Sequence, residues 1–501
     1  MVTLVILDGF GWSEEEYGNA VKQSGTPYFL KLKERYPFTT LITHGSAVGL
    51  EEGQMGGSEV GHLNIGAGRI VYQDLTKVNN AIKNDSLKDE PEIKGAFDHV
   101  KMYGSKLHFM GLLSDGGIHS KIEHLEYLID KANQAGVQEI VIHAFMDGRD
   151  TLKDSGVTFL QRLEKNIKGK NAHIASVVGR IYAMDREKRY DRLQKAYDML
   201  VLGKAENYYQ SAEEAALESY KAGIYDEFME PAIIGKPSKV ESNDAVIFFN
   251  YRSDRARELS QAIAEQDIDE MQLVHLKNIY FVGLTQYNET FTKVKAVIKP
   301  ELVTENISKI ISQHGLKQFH TSETTKYAHV TFFLNGGIEK PYPGEDRKLT
   351  ESFNVKDFSE VPQMKAFEIT NDVLDAIASN KYDFVIVNLS NADMIGHTGN
   401  FEAALEAVKI VDKCGYMIAL ATLAAGGHCI VTADHGNADL MLDKEGNVIT
   451  SHSMNLVPLV IASEKFKDKK LAEGKSLTSI APTVLKMLNI PIPDFMDESL
   501  F

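Results

Sequence analysis

Six residues of the kind that bind metal ions occur in the first and last parts of the chain, four of them, all but His397 and His452, after apolar runs. They are Asp8, Asp393, His397, Asp434, His435 and His452. Asp393 and His397 are four apart, so one helical turn would bring both to one ion, although Gly396 disfavours a regular helix and allows close backbone approach. Mixed carboxylate and imidazole ligands suit Mn²⁺ or Zn²⁺, and sometimes Co²⁺ or Fe²⁺. Six ligands exceed what one catalytic ion uses, so the set predicts two ions, an arrangement that serves phosphoryl chemistry.

Each of these residues has an ordinary structural alternative when it is taken alone. Asp8, at the end of the first apolar run, is of a type more often found in turns and caps. His452, in the small-residue loop 451–453, is more often structural or exposed than a ligand. Asp434 and His435 end a buried run, where two such neighbours are unfavourable without partners. The metal hypothesis therefore depends on the whole set.

Ser58 is the candidate nucleophile. It stands in the glycine-dense stretch Gly53–His62, where glycines give way to a helix-like pattern. Such a position exposes the hydroxyl, and a helix N-terminus can hold an oxyanion. Free serine is a weak nucleophile, so a metal ion or a base must activate it. The alternative, an N-cap serine, is favoured by this stretch alone; the metal-binding residues elsewhere favour the nucleophile.

A second group, rich in arginine, follows apolar runs in the middle of the chain. It comprises His119, Arg149, Asp150, Arg180 and Arg252. Guanidinium groups form bidentate contacts with phosphate and carboxylate groups. A single arginine would by default be a surface residue, but several at the ends of apolar runs predict an anion pocket.

Short β-branched runs separated by amphipathic stretches must position these groups. The runs are Val2–Leu7, Leu107–Leu113, Ile140–Phe145, Ile174–Val178, Ala245–Phe249, Phe384–Leu389 and His428–Ala433. A buried helix face is predicted from the spacing of Ile122, Leu125, Leu128, Ile129 and Ala132. Alternating strands and helices predict an α/β fold with parallel sheets, in which chemistry collects at the carboxyl ends of the strands.

The two residue groups predict one domain interrupted by another. Residues 1–74 and 306–501 are expected to form a discontinuous, metal-binding domain, and residues 75–305 an inserted, substrate-binding domain. The linkers are expected around Tyr72–Val78 and Lys299–Asn306.

Composition restricts the partners. The 501 residues carry a formal charge of −16, which disfavours nucleic acid and acidic membranes. The apparent conflict with an anionic substrate disappears because two divalent ions and the arginines would make the local field positive. No apolar run approaches the ~20 residues of a membrane span. With only two cysteines, neither a disulfide framework nor a cysteine zinc site is expected, and a cytoplasmic location is predicted.

Several motifs together resemble the cofactor-independent phosphoglycerate mutases of the alkaline phosphatase superfamily. They are LDGFG at Asp8, GGSEVGHLNIGAGR at Ser58, NADMIGHTG, TADHGNAD and the His452 loop, together with SDGGIHS, MDGRD, GRIYAMDR, FNYRSDRAR and TKYAHVTFFLNGG in the order expected for that family. The resemblance spans residues 4–458 and implies an alkaline-phosphatase-like metal domain carrying an inserted α/β domain.

The resemblance also implies individual roles. Asp393, His397 and His452 match the ligands of one Mn²⁺, and Asp8, Ser58, Asp434 and His435 match those of the second. Ser58 matches the serine that becomes phosphorylated. The residues matching substrate contacts are His119, Arg149, Asp150, Arg180, Arg186, Arg252, Arg255 and Lys326. The chain departs from the family pattern at Gly57 (usually Asn), Lys121 (His), Ser253 (Pro), Thr325 (Glu), Met454 (Thr) and Leu456 (Pro).

The implied reaction interconverts 3-phosphoglycerate and 2-phosphoglycerate through a phosphoserine, without bisphosphoglycerate. Asp150 is the expected acid and base, Lys326 would offset charge on the phosphoryl group, and a monomer acting on a small molecule is expected. Another phosphomutase or a phosphomonoesterase of the same superfamily is the alternative. A non-catalytic anion-binding protein would be expected to lack at least one ligand or the nucleophile, and none is missing.

Overall fold

A computed structural model describes residues 1–300 and 302–501. The chain divides into two compact units, unit 1 (Met1–Gln73 and Glu301–Phe501) and unit 2 (Asp74–Pro300). Of the predicted first linker, the residues from Asp74 onward form the first turn of a helix. In the predicted second linker, Glu301 lies outside the described residues.

The strands in chain order are β1 (Val2–Leu7), β2 (Phe38–Leu41), β3 (Leu107–Leu113), β4 (Ile140–Met146), β5 (Ala172–Gly179), β6 (Asn207–Tyr209), β7 (Ala232–Ile234), β8 (Ala245–Phe248), β9 (Tyr280–Thr285), β10 (Val294–Ile298), β11 (Gln318–Glu323), β12 (Glu345–Thr350), β13 (Phe384–Leu389), β14 (His428–Thr432) and β15 (Val457–Ala462).

The α-helices are α1 (Ala20–Gln23), α2 (Pro27–Arg35), α3 (Ser58–Ala67), α4 (Asp74–Lys83), α5 (Pro91–Tyr103), α6 (Ile122–Gln134), α7 (Gly156–Ile167), α8 (Arg180–Ala183), α9 (Tyr190–Tyr197), α10 (Ala212–Lys221), α11 (Arg257–Ser260), α12 (Ile307–Gln313), α13 (Ala366–Ala378), α14 (Asn391–Gly396), α15 (Phe401–Ala424) and α16 (Ile480–Met487). Short 3-10 turns cover Gly45–Val48, Leu87–Asp89, Asp226–Phe228, Phe358–Glu360 and Leu477–Ser479, and π-helical turns cover Asp198–Leu202, Gln261–Glu265 and His329–Phe333.

Each unit is built on one sheet. In unit 1 the strand order is β12-β11-β13-β1-β14-β15-β2, with β15 antiparallel to both of its neighbours and the other pairs parallel. In unit 2 the order is β10-β9-β8-β3-β4-β5-β7-β6, with the β5–β7 pair antiparallel. The predicted α/β class is confirmed. Strands β1, β3 and β13 have the predicted bounds, because fully buried parallel strands are continuous apolar runs.

The central strands are buried on both faces. Every residue of β1, β3, β4 and β13 is buried. In α6 the five residues of the predicted face are fully buried against the core of unit 2. No helix within residues 1–300 and 302–501 combines the length and the apolar character that a membrane span requires.

A small apolar cluster lies at the C-terminal end of α3 in unit 1. Ala67 packs there with Val71 and Val303, and Leu63 packs against them. The Val71 N–H donates to Asn64 Oδ1 at 3.0 Å. The residues on which the chain leaves unit 1 and on which it returns are therefore held together against the helix that begins with Ser58.

Candidate functional site

The metal-type residues of unit 1 meet at one edge of its sheet. Asp8 follows β1, Asp393 lies in α14 directly after β13, and Asp434 and His435 follow β14. These three strands are parallel neighbours in the order β13-β1-β14. Their carboxyl ends therefore bring the side chains together, as expected for an open α/β sheet.

Two loops of this edge approach closely because glycine stands between them. Gly9 has φ +76°, and a Cβ there would lie 2.6 Å from the Asp393 Cα. The Asp393 N–H donates to the Asp8 carbonyl oxygen at 3.0 Å. The helix α14 ends at Gly396 and His397 is its C-cap residue, so Asp393 and His397 lie one turn apart at the end of a short helix. A Cβ at Gly396 would lie 2.2 Å from Asn437 Oδ1, so the expected close approach involves the amide of Asn437.

Ser58 is the first residue of α3, and its buried hydroxyl contacts three functional groups. Ser58 Oγ lies 2.5 Å from Lys326 Nζ and 2.9 Å from His435 Nε2, and it donates to Asp8 Oδ1 at 3.2 Å. A helix N-terminus, an ammonium group and an imidazole therefore surround one hydroxyl. We call Asp8, Ser58, Lys326, Asp393, His397, Asp434, His435 and His452 the metal cluster.

Two histidines of the metal cluster direct acceptor atoms at each other. His397 Nδ1 lies 2.7 Å from the Thr450 carbonyl oxygen, and His452 Nδ1 lies 2.7 Å from that of Gly56. A carbonyl oxygen only accepts, so each Nδ1 carries the proton, and in a neutral ring Nε2 is then an acceptor. These two Nε2 atoms are 3.1 Å apart and lie 3.2 and 3.3 Å from Asp393 Oδ1. A cation would satisfy the three converging acceptors.

The imidazole of His435 lies beside the carboxylates of Asp8 and Asp434. Its Nε2 lies 3.3 Å from Asp8 Oδ1 and 3.6 Å from Asp434 Oδ2. Asp434 Oδ2 is buried and has no hydrogen-bond partner among the described residues. Burial disfavours an imidazolium, but Asp434, Asp393 and Asp8 raise the pKa of His435 to about 10. Carboxylates that raise an imidazole pKa would equally attract a metal ion.

The donor set of the metal cluster fits two divalent cations. The donor atoms of Asp393, His435 and His452 lie within 4.8 Å of one another, and so do those of Asp8, Asp434 and His435. His397 belongs to neither of these groups but contacts both Asp393 and His452. The three carboxylates are buried, and those of Asp8 and Asp393 pair with the ammonium group of Lys326. Burial alone would lower the Lys326 pKa, yet Asp8 and Asp393 hold it well above its ordinary value.

In unit 2 the arginine group lies at the carboxyl ends of adjacent strands. His119 follows β3, Arg149 and Asp150 follow β4, Arg180 begins α8 directly after β5, and Arg252 follows β8, in the sheet order β8-β3-β4-β5. We call His119, Arg149, Asp150, Arg180, Arg186, Arg252 and Arg255 the arginine cluster.

Aspartates hold most of these basic groups. Arg180 Nη1 is buried and lies 2.5 Å from Asp147 Oδ1 and 2.6 Å from Asp150 Oδ2. Arg186 Nη1 lies 2.8 Å from Asp254 Oδ2, and Arg252 Nε lies 3.2 Å from Asp254 Oδ1.

The other two arginines are placed differently. Arg149 is half exposed, and its guanidinium is turned towards Glu227 at 3.5 Å. Arg255 Nη1 donates to the Met184 carbonyl oxygen. Burial lowers the pKa of Arg255, and the neighbouring guanidinium groups of Arg186 and Arg180 lower it further. Such crowding of positive charge is what an anion would relieve.

Sequence reasoning missed several residues that position the two clusters. Asp147 accepts from the backbone N–H groups of Arg149 and Asp150 at 3.2 and 3.0 Å. The sequence signal for this turn was an Asp followed by Gly. In unit 1, Asn388 Nδ2 donates to Asp8 Oδ2 at 2.7 Å, and an amide inside a buried apolar run was the signal.

His62 and Asp439 were also missed. His62 Nδ1 donates to the Ser58 carbonyl oxygen at 2.8 Å, within the first turn of α3. Asp439 Oδ2 accepts from Ser453 Oγ at 2.7 Å and from Asn455 Nδ2 at 2.6 Å, which anchors the loop that carries His452. His62 is four residues from Ser58, a spacing that places both on one helix face and was an available signal. Asp439 is 14 and 16 residues from its two partners, and no helical or strand period links them.

The chain is similar to known proteins along its whole length. A family model described as the BPG-independent PGAM N-terminus matches residues 78–289. The 2,3-bisphosphoglycerate-independent phosphoglycerate mutase of Clostridium novyi (strain NT) is 45% identical over 508 residues, covering 100% of this chain and 99% of its own. The corresponding mutase of Clostridium beijerinckii is 46% identical, covering 99% of this chain and 97% of its own. A crystal structure of Leishmania mexicana phosphoglycerate mutase at low cobalt concentration superposes with a TM-score of 0.65 at 31% identity, covering 100% of this chain and 97% of that one.

Proposed function

The chain belongs to the family of 2,3-bisphosphoglycerate-independent phosphoglycerate mutases, and we propose that it interconverts 3-phosphoglycerate and 2-phosphoglycerate through a phosphoserine on Ser58. The observation that carries the role of Ser58 is its hydroxyl at the start of α3, in contact with Lys326, His435 and Asp8 at once.

The metal cluster would hold two divalent cations, for which Mn²⁺ suits the mixed oxygen and nitrogen donors. Asp393, His397 and His452 would hold one, and Asp8, Ser58, Asp434 and His435 the other. When bound, the cations would supply positive charge to the serine oxygen and to the phosphoryl group.

The transfer begins when Ser58 Oγ attacks phosphorus and the bond from phosphorus to O3 of the substrate breaks. The serine hydroxyl loses its proton in this step, and the cation that Asp8, Ser58, Asp434 and His435 would hold would favour that loss by stabilising the oxyanion. Lys326 Nζ, next to the same oxygen, offsets charge that builds up on the phosphoryl group. The helix N-terminus at Ser58 adds a further positive potential.

The second half returns the phosphoryl group to the other hydroxyl of glycerate. We assign Asp150 the proton transfer, accepting a proton from the O2 hydroxyl and donating one to O3. Arg180 Nη1 contacts Asp150 Oδ2 at 2.6 Å, which holds this carboxyl group in place. Arg180, Arg186, Arg252 and Arg255 would bind the carboxylate and phosphate groups, and Arg149 would turn from Glu227 to join them.

The direct test incubates the Mn²⁺-loaded protein with 3-phosphoglycerate and no bisphosphoglycerate. We expect 2-phosphoglycerate to form without release of inorganic phosphate. Absence of 2-phosphoglycerate would refute the mutase assignment, and release of phosphate instead would indicate a phosphomonoesterase.

The nucleophile has its own test. Ser58→Ala should abolish turnover, and mass spectrometry of quenched wild-type protein should find phosphate on Ser58. Ser46→Ala, at an exposed serine of the same unit, is the matched control and should keep full activity. Full activity in Ser58→Ala would exclude Ser58 as the nucleophile.

The remaining assignments concern the partner, the oligomeric state, which the family resemblance implies, and the location. A small-molecule substrate is the partner that the reaction needs, and we propose a monomer in the cytoplasm. Removal of metal by a chelator should abolish turnover, and readdition of Mn²⁺ should restore it; turnover that persists after complete metal removal would exclude the cation role.

A further inference from the structure

Two buried polar atoms face each other in unit 2 without a hydrogen-bond partner. They are His119 Nδ1 and Asp254 Oδ1, 3.6 Å apart, and both lack a partner among the described residues. A buried polar atom without a hydrogen bond is unfavourable. Hydrogen bonds of active sites are often long in substrate-free structures and shorten in the complex. The pair is therefore arranged to form a hydrogen bond from His119 to Asp254.

Asp254 also forms ion pairs with two neighbouring guanidinium groups. Arg186 donates to its Oδ2 at 2.8 Å, and Arg252 lies 3.2 Å from its Oδ1. Although burial raises the pKa of Asp254, Arg252, His119 and Arg186 lower it below its ordinary value. A carboxylate among the groups that bind an anion opposes that binding, so its presence requires a positioning role.

The opposite side of the imidazole faces the proposed acid and base. His119 Nε2 lies 3.9 Å from Asp150 Oδ2, which Arg180 contacts at 2.6 Å. The charged groups acting on His119 are thus Arg180, Asp254, Asp150 and Arg252. Burial and Arg180 lower its pKa to about 4, so the ring is neutral at pH 7 and its tautomer decides which nitrogen donates.

We propose that Asp254 is a positioning residue that fixes the Nδ1-protonated tautomer of His119 and orients Arg186 and Arg252. Both flanking carboxylates only accept, but Asp254 Oδ1 is the nearer to the ring, at 3.6 Å against 3.9 Å for Asp150 Oδ2, and Asp150 Oδ2 already accepts from Arg180. Asp254 therefore selects the proton on Nδ1 and leaves Nε2 as an acceptor on the side of Asp150. The nitrogen presented to phosphoglycerate is then Nε2. The proposal rests on the proposed function, in which His119 would contact the substrate as the family resemblance implies.

The tautomer can be measured directly by NMR on the full-length protein with ¹⁵N-labelled histidine. The His119 signals are assigned from their loss in His119→Gln. We expect the proton on Nδ1 in the wild type. In Asp254→Asn a single oxygen faces two guanidinium donors and the imidazole, so the Nε2-protonated form should grow, and kcat/KM should fall about 10–100-fold, as for other partners that orient histidines.

Two further variants separate positioning from general damage. Asp254→Glu keeps the carboxylate and should retain the Nδ1-protonated form with a smaller loss of kcat/KM. Asp191→Asn removes a carboxylate of the same unit that pairs with Arg189 at 2.9 Å on the surface, and should leave both readouts unchanged.

Each outcome supports or overturns the proposal. A wild-type proton on Nε2 overturns it, as does an Asp254→Asn protein with the wild-type tautomer and kcat/KM. If Asp254→Asn does not fold, the wild-type spectrum and Asp254→Glu decide. A wild-type protein without mutase activity would refute the proposed function, whereas the tautomer measurement would still test the pairing of His119 with Asp254.

Discussion

Replacing Lys326 by methionine should destabilise the metal-free protein strongly and the Mn²⁺-bound protein much less. The Lys326 side chain is 6% exposed, and its Nζ lies 2.9 Å from Asp8 Oδ1 and 2.7 Å from Asp393 Oδ2. The other ion-pair partners of these two carboxylates among the described residues are histidines. Methionine conserves the volume but leaves the two buried carboxylates without their ammonium group.

Removing one partner of a buried ion pair is unfavourable by about 3–5 kcal/mol. For a unit of this size each kcal/mol lowers Tm by about 2–4 °C, so the metal-free variant should melt about 10 °C below the wild type. Mn²⁺ neutralises the same carboxylates, so it should raise the Tm of the variant more than that of the wild type.

Differential scanning calorimetry of the metal-free and Mn²⁺-loaded proteins measures both effects. Lys22→Met is the control, because Lys22 pairs with Glu14 on the surface, where ion pairs contribute little. The reasoning is refuted if metal-free Lys326→Met melts with the wild type, or if Mn²⁺ stabilises both proteins equally.

Three further predictions concern single positions. Gly57→Asn restores the residue usual in the family. The backbone there is extended and a Cβ would lie 3.5 Å from His452 Cε1, so we expect an unchanged Tm and a lower KM for 3-phosphoglycerate. A large loss of stability would show that the asparagine side chain does not fit. Gly9→Ala places a Cβ against Asp393 at a left-handed φ. It should lower the free energy of unfolding, measured in urea, by about 1–3 kcal/mol and reduce the Mn²⁺ affinity, measured by calorimetric titration. A wild-type affinity would show that the loops carrying Gly9 and Asp393 move freely. Burial lowers the His124 pKa to about 4, so the unfolded chain binds the proton first as the pH falls. Up to about 3 kcal/mol of stability is therefore lost between pH 6.5 and pH 4. His124→Gln should flatten that part of the plot of urea midpoint against pH, and an unchanged slope would exclude this histidine as its source.

Much of the fold was predictable because buried parallel strands carry their own signal. The apolar runs gave β1, β3 and β13 their observed bounds. Strand β12 (Glu345–Thr350) has the sequence EDRKLT and lies at the edge of its sheet, where charged side chains are normal. Strand β11 (Gln318–Glu323) is buried but polar, because His320 bonds to Gln318 Oε1 and to the Val330 carbonyl oxygen. Neither pattern resembles a strand until the partners are known.

The part of the site that lies at strand ends was also predictable from the sequence. Residues that exit strands could be grouped because parallel strands share one edge, which is how Asp8, Asp393 and Asp434 were found. Asp254 and Asn388 act through other side chains, Arg186 and Asp8 respectively, across 68 and 380 residues of sequence. Such contacts exist only after folding, so no spacing rule detects them.

The apolar cluster of Ala67, Val71 and Val303 has a consequence for how unit 1 tolerates its insertion. Val71, near the point where the chain leaves unit 1, packs in one cluster with Val303, near the point where it returns. In the folding of unit 1, the whole of unit 2 therefore counts as one loop whose two ends are held together by this cluster. Loop-closure entropy grows only slowly with length, and here the cluster fixes the ends independently of what lies between them. Unit 2 can therefore gain, lose or exchange segments such as the β6–β7 region without changing the entropy that unit 1 must overcome to assemble its metal cluster. In the proposed function, substrate preference would be set in unit 2 and phosphoryl transfer carried out in unit 1, and the two properties would in this sense be free to evolve separately.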